Sequence, residues 1–313
     1  MKQLLTLIFV LYSLVSQAQI WKPESGYTQI PIWPKGKMQD PLLDSKQESV
    51  TTGNKLIAGK PVTIIWNVTE PTMTLYFPVT KNTGATVVVF PGGGFNGLAI
   101  DLEGTEICEW LITKGVTCVL LKYRVPDSGP AWHDDCQCHI HPKAPTALQD
   151  AQRTLGLLRR NASEWHINPN KIGVLGFSAG GYMVADISTH FKQRAYTPVD
   201  EADKESCRPD FAIAFYPGHM QMEGKKFELN PEVHFTKETP PTFLLQAEDD
   251  PVDDIENSLL YYIGLKNADI PVEMHLYPQG GHGFGLRKTN LPITEWPWLV
   301  EQWLKTIGIT SND

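Results

Sequence analysis

The sequence predicts an α/β fold: a mostly parallel central sheet of about eight strands, flanked by helices on both faces. Three observations carry this. Short β-branched and apolar runs, five or six residues long, recur through the chain, and after an antiparallel start they alternate with helical segments as β-α-β units do. Between them lie segments whose apolar residues repeat at the helical period. The chain has 313 residues, 42% hydrophobic and 20% charged, which suits one large globular domain.

The strand candidates are 62–66, 73–77, 86–90, 117–122, 171–175, 211–215, 242–246 and 272–277, and the first two read as a hairpin or meander. Helices are expected at 106–113, 146–161, 179–189, 255–267 and 296–307. The second carries Ala147, Ala151, Leu155 and Leu158 on one face and closes with Arg159 and Arg160, which suits the negative end of a helix dipole. Strand–helix–strand units of this kind place ligands at the carboxyl ends of the strands.

The amino terminus reads differently. Lys2 precedes an apolar run from Leu4 to Val15, and Ser16 and Ala18 are small residues at the −3 and −1 positions of a cleavage site. Residues 1–18 are expected to be a secretory signal peptide cleaved near Ala18/Gln19, since the run is too short to span a bilayer. The mature chain is expected in the periplasm or outside the cell, with no membrane anchor. Residues 19–59 form an aperiodic, Pro- and Trp-containing arm, and 60–313 the main domain. Net charge is −8 with no basic stripe, so a nucleic-acid partner is not expected.

The chemistry is concentrated at three places. Gly176-Phe177-Ser178-Ala179-Gly180 matches G-x-S-x-G between an apolar strand and a helix, so that Ser178 would stand as a nucleophile on a sharp, strained turn. Pro91-Gly92-Gly93-Gly94-Phe95 follows an earlier strand, where close backbone approach would let the N–H groups of Gly93 and Gly94, with that of Ala179, receive an oxyanion. A serine hydroxyl needs a base, and His282 in Gly280-Gly281-His282-Gly283 lies just past the last strand. The imidazole needs an acid in turn; Glu248-Asp249-Asp250 follows another strand, and the residues alone do not say which acid serves. No cofactor is required.

Taken together these segments resemble secreted α/β-hydrolases of the acetylxylan and feruloyl esterase group, close to the dienelactone-hydrolase and prolyl-oligopeptidase branches. The resemblance runs from about Pro71 to Leu304. It rests on VVVFPGGGF with the following Glu103-Gly104, LLKYRVP, ALQDAQRTLGLLR, INPNKIGVLGFSAGGYM, AEDDPV and GGHGFG. It implies the α/β-hydrolase fold and metal-free hydrolysis of acetyl or feruloyl esters on plant polysaccharide such as xylan. It also implies that the acid is Asp250, the one followed by Pro-Val, and that Asp150 and Arg153 are structural. A peptidase or a lactonase on the same triad is the alternative, and a non-catalytic carbohydrate-binding homologue a more distant one.

The chain departs from the pattern at 126–144, where AWHDDCQCHIHP is inserted. Its C-x-C and H-x-H spacings do not match a standard zinc site, so no metal is expected there. The loop is read as a wall of the substrate site, with Trp132 and Phe95 as substrate contacts. Of the five cysteines, Cys108 and Cys118 are expected as core residues, and a disulfide from Cys136 or Cys138 to Cys207 is expected after export.

Overall fold

β-Branched and aromatic runs assemble eight strands into one twisted sheet. The computed structural model describes residues 20–42, 46–126, 131–133, 138–140, 144–222 and 225–311. In chain order the strands are β1 (Gln29–Pro31), β2 (Ser49–Thr52), β3 (Thr63–Trp66), β4 (Thr72–Tyr76), β5 (Thr86–Phe90), β6 (Gly97–Ala99), β7 (Thr117–Lys122), β8 (Ala131–His133), β9 (Cys138–Ile140), β10 (Ile172–Phe177), β11 (Ala212–Phe215), β12 (Thr242–Ala247) and β13 (Val272–Tyr277). The α-helices are α1 (Glu106–Thr113), α2 (Pro145–Arg160), α3 (Ala179–Thr189), α4 (Glu256–Asn267) and α5 (Trp296–Thr306).

The main sheet runs β1-β4-β7-β5-β10-β11-β12-β13. From β7 to β13 every pairing is parallel, while β4 is antiparallel to both β7 and β1. Strands β5, β7, β10, β11 and β12 are buried along their whole length, which is why they read as continuous apolar runs rather than alternating ones. The crossover from β5 to β7 runs one way along the sheet and that from β7 to β10 the other. Right-handed crossovers therefore put α1 on one face and α2, α3 and α4 on the other. Helix α5 joins α1, with Trp110 and Trp296 in edge-to-face contact at 5.1 Å between centroids. The reversal opens a crevice outside the carboxyl ends of β5 and β10, the usual place for a site in such a sheet.

Two expectations about strand partners change. Segments 63–66 and 72–76 are strands, but they do not form a hairpin. Strand β3 pairs with β2 and β6 in a separate three-stranded sheet. Strand β4 is buried from Met73 to Tyr76 and lies between β1 and β7, so that backbone groups shut off from water are paired on both sides. The arm thus supplies β1, an edge strand of the main sheet.

A buried polar knot holds the arm to the domain. Asp150 is fully buried on α2 and accepts from Arg124 Nη2 at 2.8 Å and from Trp33 Nε1 at 2.7 Å. Arg124 also donates to the carbonyls of Gln39 and Asp40, and Arg153 to that of Ile32. Asp150 and Arg153 are structural, as the resemblance implied. Removing one member of such a buried pair typically costs about 3–5 kcal/mol, because it strands the other's charge.

The cysteines are arranged differently from the expectation. Cys108 on α1 and Cys118 on β7 are buried in the core, as expected, but are joined by a disulfide. Cys207 is a buried free thiol that donates to the Phe191 carbonyl at 3.2 Å, so it is not the partner of Cys136 or Cys138. Cys136 lies outside the described residues, as does the expected signal peptide at 1–18. Strands β8 and β9 pair antiparallel within the inserted loop, with Trp132 opposite His139; the side chain of Trp132 lies outside the described part.

Candidate active site

Five loops leave the same edge of the sheet, and each brings one component. Ser178 directly follows β10 and caps α3 with φ 54° and ψ −120°. A non-glycine residue at positive φ costs on the order of 1–3 kcal/mol and persists only where its surroundings over-determine it. Both glycines of the motif are required by space. A β-carbon at Gly176 would lie 2.0 Å from the Gly180 carbonyl oxygen, and one at Gly180 would lie 2.0 Å from that of Phe90. The Ser178 N–H is held by the Phe215 carbonyl at 3.1 Å, which ties the turn to the end of β11.

The loop after β5 packs directly against the serine. A β-carbon on Gly92 would meet Ser178 Cβ at 2.9 Å. Gly93 and Gly94 adopt φ 140° and 60° and are exposed. Among the described residues, the N–H groups of Gly93, Gly94 and Ala179 enter no hydrogen bond with the protein. Ala179 opens α3, whose positive end faces the same place. Phe95, expected to touch substrate, is instead fully buried, with its ring 6.2–6.3 Å from those of Tyr123, Tyr182 and His219. It braces the glycine loop from within and offers no open surface.

Asp250 and His282 meet across the ends of β12 and β13. Asp250 Oδ2 lies 2.8 Å from His282 Nδ1, and its Oδ1 accepts from the N–H groups of Val252 and Asp253 at 2.8 and 3.1 Å. Asp249 binds backbone instead. Its Oδ1 accepts from the N–H groups of Gly280 and Gly281 at 2.8 and 2.7 Å, anchoring the loop that carries the histidine. Downstream, buried Arg287 is clamped on Glu106 and on the carbonyls of Lys60 and Pro61, while Trp296 Nε1 donates to the Gly285 carbonyl. The glycine-rich loop is therefore held at both ends. Burial depresses the imidazole's basicity, but the Asp250 hydrogen bond and the charges of Asp250, Asp253 and Glu103 outweigh it, so its pKa stands above the usual 6.5.

Three residues to which the sequence alone assigns no role complete the site. Glu103 is buried beneath it: one carboxylate oxygen accepts from the Gly92 N–H at 2.8 Å and the other from the Tyr216 hydroxyl at 2.7 Å. Burial raises its pKa despite those donors. Tyr216 directly follows β11 with φ 35°, and its ring lies 4.7 Å from that of His282. Glu103 and Tyr216 thus link the glycine loop to the histidine. Asp253 Oδ2 stands 3.9 Å from His282 Nδ1. Glu103 was visible only as part of a motif, and Tyr216 and Asp253 carried no sequence signal beyond their places after strands. Among the described residues, no group of three or more His, Cys, Asp or Glu is arranged to hold a metal ion.

This sheet, with a serine on a strained strand-to-helix turn and an acid–histidine pair on the strands beyond it, defines an α/β-hydrolase. Within that class the chain belongs to the prolyl oligopeptidase family, whose model matches residues 108–306. It is similar to an acetyl ester-xyloside bifunctional hydrolase from Caldicellulosiruptor lactoaceticus, at 30% identity and a TM-score of 0.68, over 91% of this chain and 97% of that one. It is 29% identical over 255 residues to an acetylxylan esterase of Xylanibacter ruminicola, covering 74% of this chain and 47% of that protein. It is 28% identical over 214 residues to endo-1,4-beta-xylanase B of Butyrivibrio fibrisolvens, covering 63% and 32%. The chain therefore spans about half or less of these two curated relatives.

Proposed function

We propose that this protein is a serine carboxylesterase that removes short acyl groups, acetyl first, from substituted xylan. The observation that carries the chemistry is the Asp250–His282 pair at 2.8 Å at the same sheet edge as a serine on a strained turn, with three backbone N–H groups left for an oxyanion. His282 takes the proton of Ser178 as its oxygen attacks the ester carbonyl. The N–H groups of Gly93, Gly94 and Ala179 hold the tetrahedral oxyanion, and the sugar alcohol leaves with the proton from His282. Water then repeats the sequence on the acyl-enzyme.

The substrate class is supported by the acetylxylan esterase and the acetyl ester-xyloside hydrolase among the relatives. A peptidase is the rival reading, because the family takes its name from one. A panel of acetylated xylan, feruloyl arabinoxylan, 4-nitrophenyl esters of rising chain length, aminoacyl amides and lactones separates them. Acetate release from the xylan, with the acetyl reporter ahead of octanoyl, is expected; faster cleavage of aminoacyl amides than of any ester would overturn the reading.

Extracellular action fits this substrate. It is supported by the signal-like residues 1–18 and by the Cys108–Cys118 disulfide, since such bonds persist in oxidising compartments. Among the described residues no helix is long and apolar enough to cross a membrane. Recovery of a mature chain beginning near Gln19 outside the cytoplasm tests export; an intact Met1 on exported protein would contradict the proposed cleavage.

A further inference from the structure

We infer that Asp253 is a second acid for His282, a positioning residue able to take over the imidazole N–H that Asp250 normally holds. The inference rests on the esterase reading above.

The geometry places two carboxylates against one nitrogen. Asp250 Oδ2 is 2.8 Å from His282 Nδ1 and Asp253 Oδ2 is 3.9 Å from the same atom. Both side chains are largely shielded, Asp250 at 0% exposure and Asp253 at 13%. Their hydrogen bonding differs. Asp250 is fixed by two backbone N–H groups and the imidazole, whereas among the described residues the Asp253 carboxylate accepts no hydrogen bond at all. A shielded carboxylate without a donor is costly unless a positive charge is near. The charge that can arise here is the imidazolium formed each time Ser178 gives up its proton.

The surroundings aim Asp253 at that nitrogen. Its backbone is pinned twice: its N–H donates to Asp250 Oδ1, and its carbonyl accepts from Gln246 Nε2 at 2.6 Å. Gln246 is fixed in turn by the Ser258 hydroxyl. Opposite stands Gly218, where a β-carbon would fall 2.4 Å from Asp253 Oδ1, so any side chain there would push the carboxylate out of its place. Burial, with the charges of Asp250 and Asp254, raises the Asp253 pKa to about 6 against the opposing pull of His282. At pH 8 it is ionised.

No atom is gained or lost in the exchange. The serine proton still moves to Nε2 and on to the leaving alcohol. The Nδ1 proton stays on its nitrogen, and only the carboxylate that accepts its hydrogen bond changes. A side-chain shift of about 1 Å brings Asp253 Oδ2 from 3.9 Å to bonding distance.

Steady-state turnover of 4-nitrophenyl acetate at pH 8 tests this in Asp250→Asn, Asp253→Asn and the double variant, with thermal melts to confirm folding. Where an amide replaces the sole acid of such a triad, kcat falls by about 10⁴. Here Asp250→Asn is expected to fall by about 10–100-fold only, and Asp253→Asn alone by less than about fivefold. The double variant should reach the full loss of about 10⁴-fold, so that Asp253→Asn costs about 100–1,000-fold in the Asp250→Asn background. A merely structural role would give the same factor in both. Titration of His282 by NMR provides a readout independent of turnover, with its pKa falling further in the double variant than in Asp250→Asn. Equal kcat for Asp250→Asn and the double variant, or an unmoved His282 titration, would overturn the inference. Should Asp253→Asn unfold the double variant, Asp253→Ser in its place keeps both comparisons. Wild-type protein inactive on every ester would instead refute the esterase reading, and the NMR comparison would still decide the role of Asp253.

Discussion

His282 faces more negative charge than a catalytic imidazole needs for orientation alone. Asp250 is bonded to it, Asp253 stands 3.9 Å away, and Glu103 lies below with Tyr216 between. Acting against burial, these groups hold its pKa above 6.5. In the proposed mechanism His282 must be neutral to take the serine proton, so activity is expected to be lost as pH falls through this raised value. The acid limb of kcat/KM, which reports the free enzyme, is therefore expected above pH 6.5. Asp253→Asn removes one of the charges and should move that limb to lower pH. A limb below 6.5 in the wild-type protein would mean that desolvation, not the carboxylates, governs the imidazole. The same crowding explains the division of labour among adjacent acids: Asp249 binds the backbone of the histidine loop and Asp250 binds the ring. The residues alone could not separate these two, because both lie just past a strand end and differ by the direction of one side chain.

At the scale of elements, what could be read in advance followed from periodicity and sterics. The apolar runs that became β5, β7, β10, β11 and β12 are buried throughout, and this makes them visible without any partner. The turn that carries Ser178 was equally legible, because a β-carbon at Gly176 or Gly180 would fall 2.0 Å from a carbonyl oxygen of the turn or of the adjacent strand end. Strand pairing was not legible. Strands β3 and β4 are neighbours in sequence, but their partners β2, β6, β1 and β7 are chosen by burial of surfaces far apart in the chain. Strand β1 is three residues long, too short to show a period. Phe95 illustrates the same limit at a site: an aromatic residue after a glycine loop reads as a substrate contact, yet its ring points inward onto Tyr123 and Tyr182. The Cys108–Cys118 bond was missed because both residues look like ordinary core positions, and only the packing of α1 on β7 brings them together.

Across the whole molecule, the site exists because the sheet reverses its order of growth at β5. That reversal leaves the glycine loop after β5 and Ser178 after β10 side by side, while β11, β12 and β13 extend the same edge and deliver Tyr216, Asp250 and His282 in turn. The arm is pinned through Trp33, Arg124 and Asp150 just past the end of β7, the strand next to β5. The central claim is that this edge makes Ser178 an activated nucleophile. It is tested most directly by treating the folded protein with a fluorophosphonate and mapping the adduct by peptide mass spectrometry. A single adduct on the peptide containing Ser178 is expected, absent in Ser178→Ala and formed far more slowly in His282→Ala. A folded wild-type protein that takes up no probe, or takes it up at another residue while Ser178 stays unmodified, would contradict the account.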